Sequence, residues 1–348
     1  MSPQPHLQRI MEHRATLTRE QARDLMHQVF LGELSEIEIA ALTGALSARG
    51  ETAAEVAGFV DSMRAAATTL PLTEAERQQL VDTCGTGGDA SGTFNISTAA
   101  ALVAAAAGAT VAKHGNRAVT SRCGSADVLE ALGIPVGLDP AEAADALRNH
   151  RFAFLHAPSL HPAMKAVLPV RRALGIRTVF NILGPLTNPA GASAQVMGVY
   201  APHLVPLVAE AMALLGTRHA FVVHGDEGDQ GGLDELSISG PSLIAEVRTT
   251  PGATSTVTLR TIAPEEFGLT RAPLESLTGG NAEINAEILR SIFAGHPGPQ
   301  RDVVLLNAAA VLVTAGLAPD LAAGIQLAAS TIDQGKVTEL VADLSRTD

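Results

Sequence analysis

Glycine, hydroxyl and cationic residues are concentrated between positions 82 and 117. Half of the residues from 85 to 92 are glycine: Gly85, Gly87, Gly88 and Gly92. Backbone amides in such a stretch approach a ligand without interference from side chains. Ser97 and Thr98 follow at the start of a predicted helix, whose first N–H groups are unpaired. Lys113 and Arg117 come one βα unit later, so the pattern predicts a site for an anionic, phosphorylated ligand.

Two nucleotide-binding motifs are weaker interpretations of the same glycines. Residues 85–90 fit the dinucleotide pattern G-x-G-x-x-A, but residues 91–94 intervene before helical patterning starts near Ser97. There is also no acidic residue about 20 positions further on, where ribose recognition needs one. A P-loop is excluded because no Gly-Lys-Ser/Thr follows.

A second candidate site is the acidic segment from His224 to Glu235, after a predicted strand. Its carboxylates are Asp226, Glu227, Asp229, Asp234 and Glu235. Hard oxygen ligands without thiols indicate Mg²⁺ rather than zinc, shared with substrate phosphates. A solvated acidic loop without metal explains the spacing equally well.

A third candidate lies between residues 152 and 189, where His161, Lys165 and Arg171 occur. Arginine is the side chain best suited to bidentate capture of a carboxylate. A lone arginine on a helix is more often solvated, and His161 is equally compatible with a structural role.

Composition limits the class of protein. The chain has 348 residues and a formal net charge of −12, which argues against nucleic acid as the main partner. Residues 90–126 and 151–209 nevertheless carry no Asp or Glu and eight Lys or Arg, as a cleft for a small anion requires. The apolar stretch 99–112 is too short to span a bilayer, and no secretory signal is visible. Two cysteines, Cys84 and Cys123, indicate reduced thiols in a cytoplasmic protein.

The elements that must position these residues fall into two regions. Up to about residue 76 the pattern is helical, with capping boxes at Thr18, Ser35 and Thr52. From Leu80 short strands alternate with helices, and three or four helices follow Glu283. The predicted strands are Leu80–Cys84, Thr110–Lys113, Phe152–His156, Gln195–Tyr200, Ala220–His224 and Ile244–Val247. We therefore predict an α/β fold: a large domain (77–348) with a mainly parallel sheet flanked by helices, and a small all-helical domain (1–76).

Seven phrases together resemble the anthranilate phosphoribosyltransferase family, of the nucleoside phosphorylase-like type. They are Gly-Thr-Gly-Gly-Asp (85–89), Asn-Ile-Ser-Thr (95–98), Lys-His-Gly-Asn-Arg (113–117), Gly-Ser-Ala-Asp-Val-Leu-Glu-Ala-Leu-Gly (124–133), His-Pro-Ala-Met-Lys (161–165), Asn-Ile-Leu-Gly-Pro-Leu-Thr-Asn-Pro (181–189) and Leu-Asp-Glu-Leu-Ser (233–237). The resemblance implies a homodimer formed through the helical domain, with the segment around 165–183 returning to contact that domain. It also implies a magnesium-dependent transferase that moves the 5-phosphoribosyl group from phosphoribosyl pyrophosphate (PRPP) to the amine of anthranilate, in tryptophan biosynthesis.

The resemblance also implies site residues. The residues around PRPP would be Gly85, Gly88, Asp89, Thr93, Asn95, Ile96, Ser97, Thr98, Lys113, His114, Gly115, Asn116, Arg117, Ala118, Val119, Thr120, Ser121 and Ser125. Those around anthranilate would be Gly85, Asn116, His161 and Arg171, the last through the carboxylate. Two Mg²⁺ ions would be held by Ser97, Asp234 and Glu235.

Three questions stay open at this point. Asp226, Glu227 or Asp229 could compete for metal, because this acidic loop looks longer than is usual in the family. No general base is assigned, and His114 and His161 are only candidates. The rival interpretations are a pyrimidine nucleoside phosphorylase of the same fold and a non-catalytic relative that binds nucleic acid.

Overall fold

The N-terminal part of the chain is helical, as predicted. In the computed structural model, which describes residues 4–118, 122–227, 231–250, 252 and 254–346, all three predicted capping boxes are formed at Thr18, Ser35 and Thr52. The helices of this part are α1 (Gln4–His13), α2 (Arg19–Phe30), α3 (Glu36–Arg49), α4 (Ala53–Ala65) and α5 (Glu74–Arg77).

A sheet flanked by helices forms the rest of the described chain. Its strands are β1 (Leu80–Gly85), β2 (Thr110–Gly115), β3 (Phe152–His156), β4 (Ala194–Gly198), β5 (His219–Asp226), β6 (Gly232–Leu233), β7 (Ser242–Arg248) and β8 (Thr256–Ile262). The helices are α6 (Ile96–Ala106), α7 (Ser125–Ala131), α8 (Pro140–His150), α9 (Ala157–Leu160), α10 (Leu168–Leu174), α11 (Phe180–Leu183), α12 (Leu204–Leu214), α13 (Ala282–Phe293), α14 (Pro299–Thr314), α15 (Leu321–Asp333) and α16 (Lys336–Leu344).

The sheet is mixed but mainly parallel, which confirms the predicted fold class. Its order is β3-β2-β1-β4-β5-β7-β8, and β6 pairs with β5. Pairing is parallel from β3 through β5 and antiparallel among β5, β6, β7 and β8. The strand order reverses between β1 and β4, and ligands of open α/β sheets bind at the carboxyl ends of strands beside such a point.

Three details differ from the sequence prediction. Strand β4 ends at Gly198 instead of Tyr200, because the Tyr200 N–H donates to the Thr86 hydroxyl (3.1 Å) rather than to a neighbouring strand. Two strands were not predicted: β6, which is only two residues long, and β8, which is a largely exposed edge strand. A short or solvated strand lacks the apolar run by which the buried strands were found.

The helical region and the sheet share one hydrophobic core. Leu25 and Phe59 of the helical region belong to the same buried cluster as Met197 and Val222 of the sheet. The segment 167–186 contributes to this cluster as well, through Val167, Val170, Val179, Phe180, Ile182, Leu183 and Leu186. A second cluster, built largely from α6, α13 and α14, covers the opposite face. Within the described ranges no helix combines the length and the apolar character needed to cross a membrane.

Candidate active site

The glycine loop, residues 86–95, leaves the carboxyl end of β1 and leads into α6. Gly87 (φ +66°) and Gly88 (φ +76°) lie in the left-handed backbone region that glycine adopts without strain. The Gly87 N–H donates to Asp234 Oδ2 at 2.7 Å. The loop therefore turns back over the end of the sheet and is attached there to the acidic segment.

Asp234 lies over the point where the strand order reverses. Gly85 of β1 is in register with Gly198 of β4. A Cβ at Gly85 would collide with the Asp234 carboxylate, and one at Gly198 would collide with its backbone carbonyl. The two glycines are therefore required sterically so that Asp234 reaches the loop.

Three carboxylates approach one another here. The Asp234 N–H donates to Asp89 Oδ2 (3.4 Å), and Glu235 Oε1 accepts from the Ser97 N–H (2.9 Å). Burial raises the pKa of Asp234 well above its ordinary value, and the charges of Asp89 and Glu235 raise it further. Burial also raises the pKa of Glu235 to about 7. Crowded carboxylates that resist ionisation are stabilised by a nearby cation.

Lys113 supplies one positive charge beneath the loop. It lies near the carboxyl end of β2 and is almost fully buried. Its Nζ donates to the Thr83 carbonyl (2.7 Å) and lies 3.4 Å from Ser97 Oγ. Burial lowers the pKa of its ammonium group, and the negative groups around it oppose that shift. The α6 N-terminus, Lys113 and Glu235 thus meet at Ser97.

A buried polar network lies beneath Lys113 and the carboxylates and was not predicted from the sequence. The Asp82 carboxylate accepts from the His114 N–H (3.1 Å) and from Gln195 Nε2 (3.2 Å), and burial raises the pKa of Asp82. The signal was available, since Asp82 and Gln195 interrupt otherwise apolar parallel strands. Buried polar groups in such positions require partners.

The residues from Thr93 to Thr98 complete the glycine loop and begin α6. Thr93 forms a β-bridge with Thr278, and the Asn95 side chain bonds the Cys123 carbonyl (3.2 Å) and Asn285 (2.9 Å). Ile96 and Thr98 are buried, so Ile96 could meet a ligand only through its backbone.

The second predicted wall follows β2, through Gly115, Asn116 and the start of α7. Ser125 Oγ donates to the Asn116 carbonyl (3.2 Å), and Asp127 accepts from the N–H groups of Ala118 and Gly124. The Arg117 guanidinium is ion-paired with Glu130 (2.5 Å) and Asp127 (3.3 Å), which directs it onto α7. The remaining predicted members of this wall, Val119, Thr120 and Ser121, lie outside the described residues.

Two histidines and an arginine are the remaining residues of the predicted site. The rings of His114 and His161 are 5.1 Å apart. Burial lowers the pKa of His114 to about 3 and that of His161 to about 4, so both are neutral at pH 7. Arg171 of α10 is half-buried with its guanidinium 5.9 Å from the centre of the Phe180 ring, and burial lowers its pKa. Within the described ranges no hydrogen bond or ion pair engages that guanidinium.

The earlier acidic pair lies elsewhere. Glu227 accepts from Ser237 Oγ (2.5 Å), and Asp226 and Glu227 line a cavity of about 390 Å³ together with Arg271. Asp229 is outside the described residues. In the part of the chain that the structure describes, no three His, Cys, Asp or Glu side chains form a group that could hold a metal alone. The oxygen donors of Asp234, Glu235 and Ser97 suit Mg²⁺ if phosphate oxygens complete the shell.

Comparison with known proteins decides the family. Residues 77–338 match the family described as "Glycosyl transferase family, a/b domain", and residues 4–67 match its helical bundle domain. The chain is 49% identical to the anthranilate phosphoribosyltransferase of Desulforamulus reducens over 95% of its own length and 93% of the relative's. The chain belongs to the anthranilate phosphoribosyltransferase family.

Solved structures of the family agree with the fold. The anthranilate phosphoribosyltransferase of Thermus thermophilus is 43% identical with a TM-score of 0.88, covering 97% of this chain and 98% of that one. The Saccharomyces cerevisiae enzyme in complex with PRPP and Mg is 25% identical with a TM-score of 0.85, covering 99% and 98%. The yeast enzyme is also known in complex with 4-fluoroanthranilate, with 25% identity, a TM-score of 0.84 and coverage of 98% and 96%.

Proposed function

We propose that this chain transfers the 5-phosphoribosyl group from PRPP to the amine of anthranilate, giving N-(5-phosphoribosyl)anthranilate and pyrophosphate in tryptophan biosynthesis. The observation that carries the proposal is the attachment of the glycine loop to Asp234 and of the first turn of α6 to Glu235, beside Lys113. Loop amides and a helix N-terminus bind phosphate, and adjacent carboxylates bind the magnesium that accompanies it. The yeast relative carries PRPP and Mg, which supports the same ligands here.

The proposed PRPP site extends along the glycine loop and the turn that follows β2. We assign the diphosphate to the loop from Gly85 to Thr98, next to Lys113, and the ribose 5-phosphate to the turn from His114 to Ser125. Asn116 is exposed at that turn, while Arg117 would have to leave Glu130 to contact the ligand. Of the family's expected contacts, Arg117 is therefore the weakest.

Magnesium would be held by Ser97, Asp234 and Glu235, and we infer two ions. The two carboxylates and the hydroxyl are hard oxygen donors, and their crowding favours a cation. When bound, Mg²⁺ would neutralise charge that develops on the departing pyrophosphate. The glycine-loop N–H groups would stabilise the same charge through preorganised hydrogen bonds.

Anthranilate would meet Gly85, Asn116, His161 and Arg171. The half-buried guanidinium of Arg171 would bind the carboxylate and orient the amine toward ribose C1. An aryl amine carries a free lone pair, so no residue needs to deprotonate it before attack. The low pKa of His114 and of His161 leaves both uncharged, and we assign neither as general base.

The molecule would work as a cytoplasmic homodimer assembled through the helical domain, 1–76, with domain 77–348 carrying the chemistry. The exposed apolar side chains of Met11, Leu31 and Ile37 in the helical domain are consistent with an interface there. A native mass near twice the 35.8 kDa of one chain would support this assembly, and a mass of one chain would exclude it.

A fluorescence assay tests the activity. Purified protein mixed with anthranilate, PRPP and Mg²⁺ should deplete anthranilate fluorescence, whereas omission of PRPP or addition of a chelator should stop the loss. Cleavage of a pyrimidine nucleoside by inorganic phosphate, with no loss of anthranilate, would contradict the proposal and favour the phosphorylase alternative.

A further inference from the structure

Arg177 touches the glycine loop from outside the residues assigned to substrates. It follows Gly175, which ends α10 in the left-handed conformation (φ +61°), so the chain turns before Arg177. Its Nη2 donates to the Gly88 carbonyl oxygen, and its guanidinium carbon lies 4.3 Å from the centre of the Tyr200 ring. At that distance the planar cation is attracted to the aromatic face.

Tyr200 is itself attached to the start of the glycine loop. The Thr86 N–H donates to the Gly198 carbonyl (2.9 Å), and the Tyr200 N–H donates back to Thr86 Oγ1 (3.1 Å). Thr86, Tyr200, Arg177 and Gly88 therefore form a closed chain of contacts. It encloses Gly87, whose N–H reaches Asp234.

The same arginine connects the loop to the helical domain. Ser47 Oγ of α3 lies 3.5 Å from the Arg177 carbonyl oxygen. Arg171, assigned above to the anthranilate carboxylate, lies six positions earlier on the same segment. One short segment thus extends one arginine toward each substrate's region.

We infer that Arg177 is a positioning residue for PRPP: it fixes the Gly88 carbonyl so that the amides of the glycine loop stay in the geometry that accepts the diphosphate. This inference rests on the proposed function. A hydrogen bond from a charged donor is short and directional, and it would hold the exposed carbonyl away from the anion. The Tyr200 ring limits the orientations that the guanidinium can adopt.

Three variants test the inference through KM and kcat. Arg177→Ala should raise the KM for PRPP roughly tenfold or more, the size expected when a charge-assisted hydrogen bond is lost. Its KM for anthranilate should change less than about threefold, a smaller effect than any single hydrogen bond to a charged group. Arg177→Lys, which keeps the donor but not the planar fork, should recover part of the loss. Arg172→Ala is the matched control, since Arg172 is an exposed arginine of the same segment.

Tyr200 provides a second, independent readout. Tyr200→Leu should raise the KM for PRPP as Arg177→Ala does, and the double variant should be no worse than either single one. Tyr200 is also the chain's single tyrosine and there is no tryptophan, so intrinsic fluorescence reports on this ring alone. That fluorescence should change in Arg177→Ala and stay unchanged in Arg172→Ala.

The outcomes separate the two proposals. If the wild type transfers the phosphoribosyl group but Arg177→Ala behaves like Arg172→Ala, the positioning role is overturned and the activity stands. Equal rises of both KM values, or full additivity with Tyr200→Leu, also overturn it. If the wild type does not use PRPP, the proposed function fails and this inference fails with it.

Discussion

At the scale of single residues, burial disfavours the charged forms of several ionisable groups in the candidate site. Lys113 is buried with a lowered pKa, while Asp234 and Glu235 have raised pKa values. Arg171 differs from them because no described residue forms a hydrogen bond or ion pair with its guanidinium, which only faces the Phe180 ring. A half-buried guanidinium without an ion-pair partner is well suited to bind a substrate carboxylate.

Replacing Arg171 tests that assignment. Arg171→Ala should raise the KM for anthranilate at least about tenfold, since a charge-assisted bidentate contact is lost. The KM for PRPP should stay nearly unchanged, in contrast to the Arg177→Ala variant. Arg171→Lys should restore activity only in part, because an ammonium group lacks the planar fork. Steady-state kinetics with each substrate varied in turn measures both constants, and equal increases would remove the proposed role.

Residue types in the sequence singled out much of the candidate site but not the contacts within it. The glycines, Ser97, Lys113 and the acidic pair could be singled out from type and spacing. The sequence left Asp226 as a competitor of Asp234 for metal, because the approach of Asp234 to the glycine loop depends on Gly85 and Gly198 facing each other across two strands. Arg177 gave no signal for a related reason, since its partners are 89 and 23 positions away in the chain.

At the scale of elements, the carboxyl ends of β1, β2 and β4 position the site. Period and capping predicted the strands and helices that carry it, and the boundaries mostly fell within two residues. The edge strand β8 was not predicted because most of its residues are exposed, so it lacks the apolar run that marks a buried strand. The end of β4 was misplaced because a hydroxyl of the glycine loop captures the Tyr200 N–H.

The buried histidines at the end of β2 and beside α9 give the fold a dependence on pH. Their folded pKa values of about 3 and 4 lie below the ordinary value of 6.5. The unfolded chain therefore binds more protons than the folded chain once the pH falls below 6.5. The free energy of unfolding decreases from that pH until the folded histidines also become protonated, near pH 4 and pH 3. Each histidine should lower the free energy of unfolding by about 2 kcal/mol at pH 5, so the unfolding temperature should drop between pH 7 and pH 5.

Substitution separates this cause from general acid denaturation. His161→Asn should flatten the decline in unfolding temperature, whereas His13→Asn, at an exposed position on α1, should leave it as in the wild type. Thermal unfolding measured at several pH values checks both variants. A decline that is identical in His161→Asn and the wild type would show that this histidine does not carry the effect.

At the scale of the whole molecule, the helical region, the returning segment and one face of the sheet share a single core. The returning segment in this core also carries Arg171 and Arg177, the arginines proposed to act at the anthranilate and PRPP regions. The fold class could be predicted from the change in periodicity near residue 77, while the shared core depends on contacts that no periodicity reveals.

The most direct test of the account is a crystal structure of the protein with PRPP and Mn²⁺, which substitutes for Mg²⁺ and is located by its anomalous scattering. We expect the diphosphate against the glycine loop and the metal between it and the carboxylates of Asp234 and Glu235. Metal beside Asp226 and Glu227, or PRPP bound away from the carboxyl ends of β1 and β4, would contradict the account.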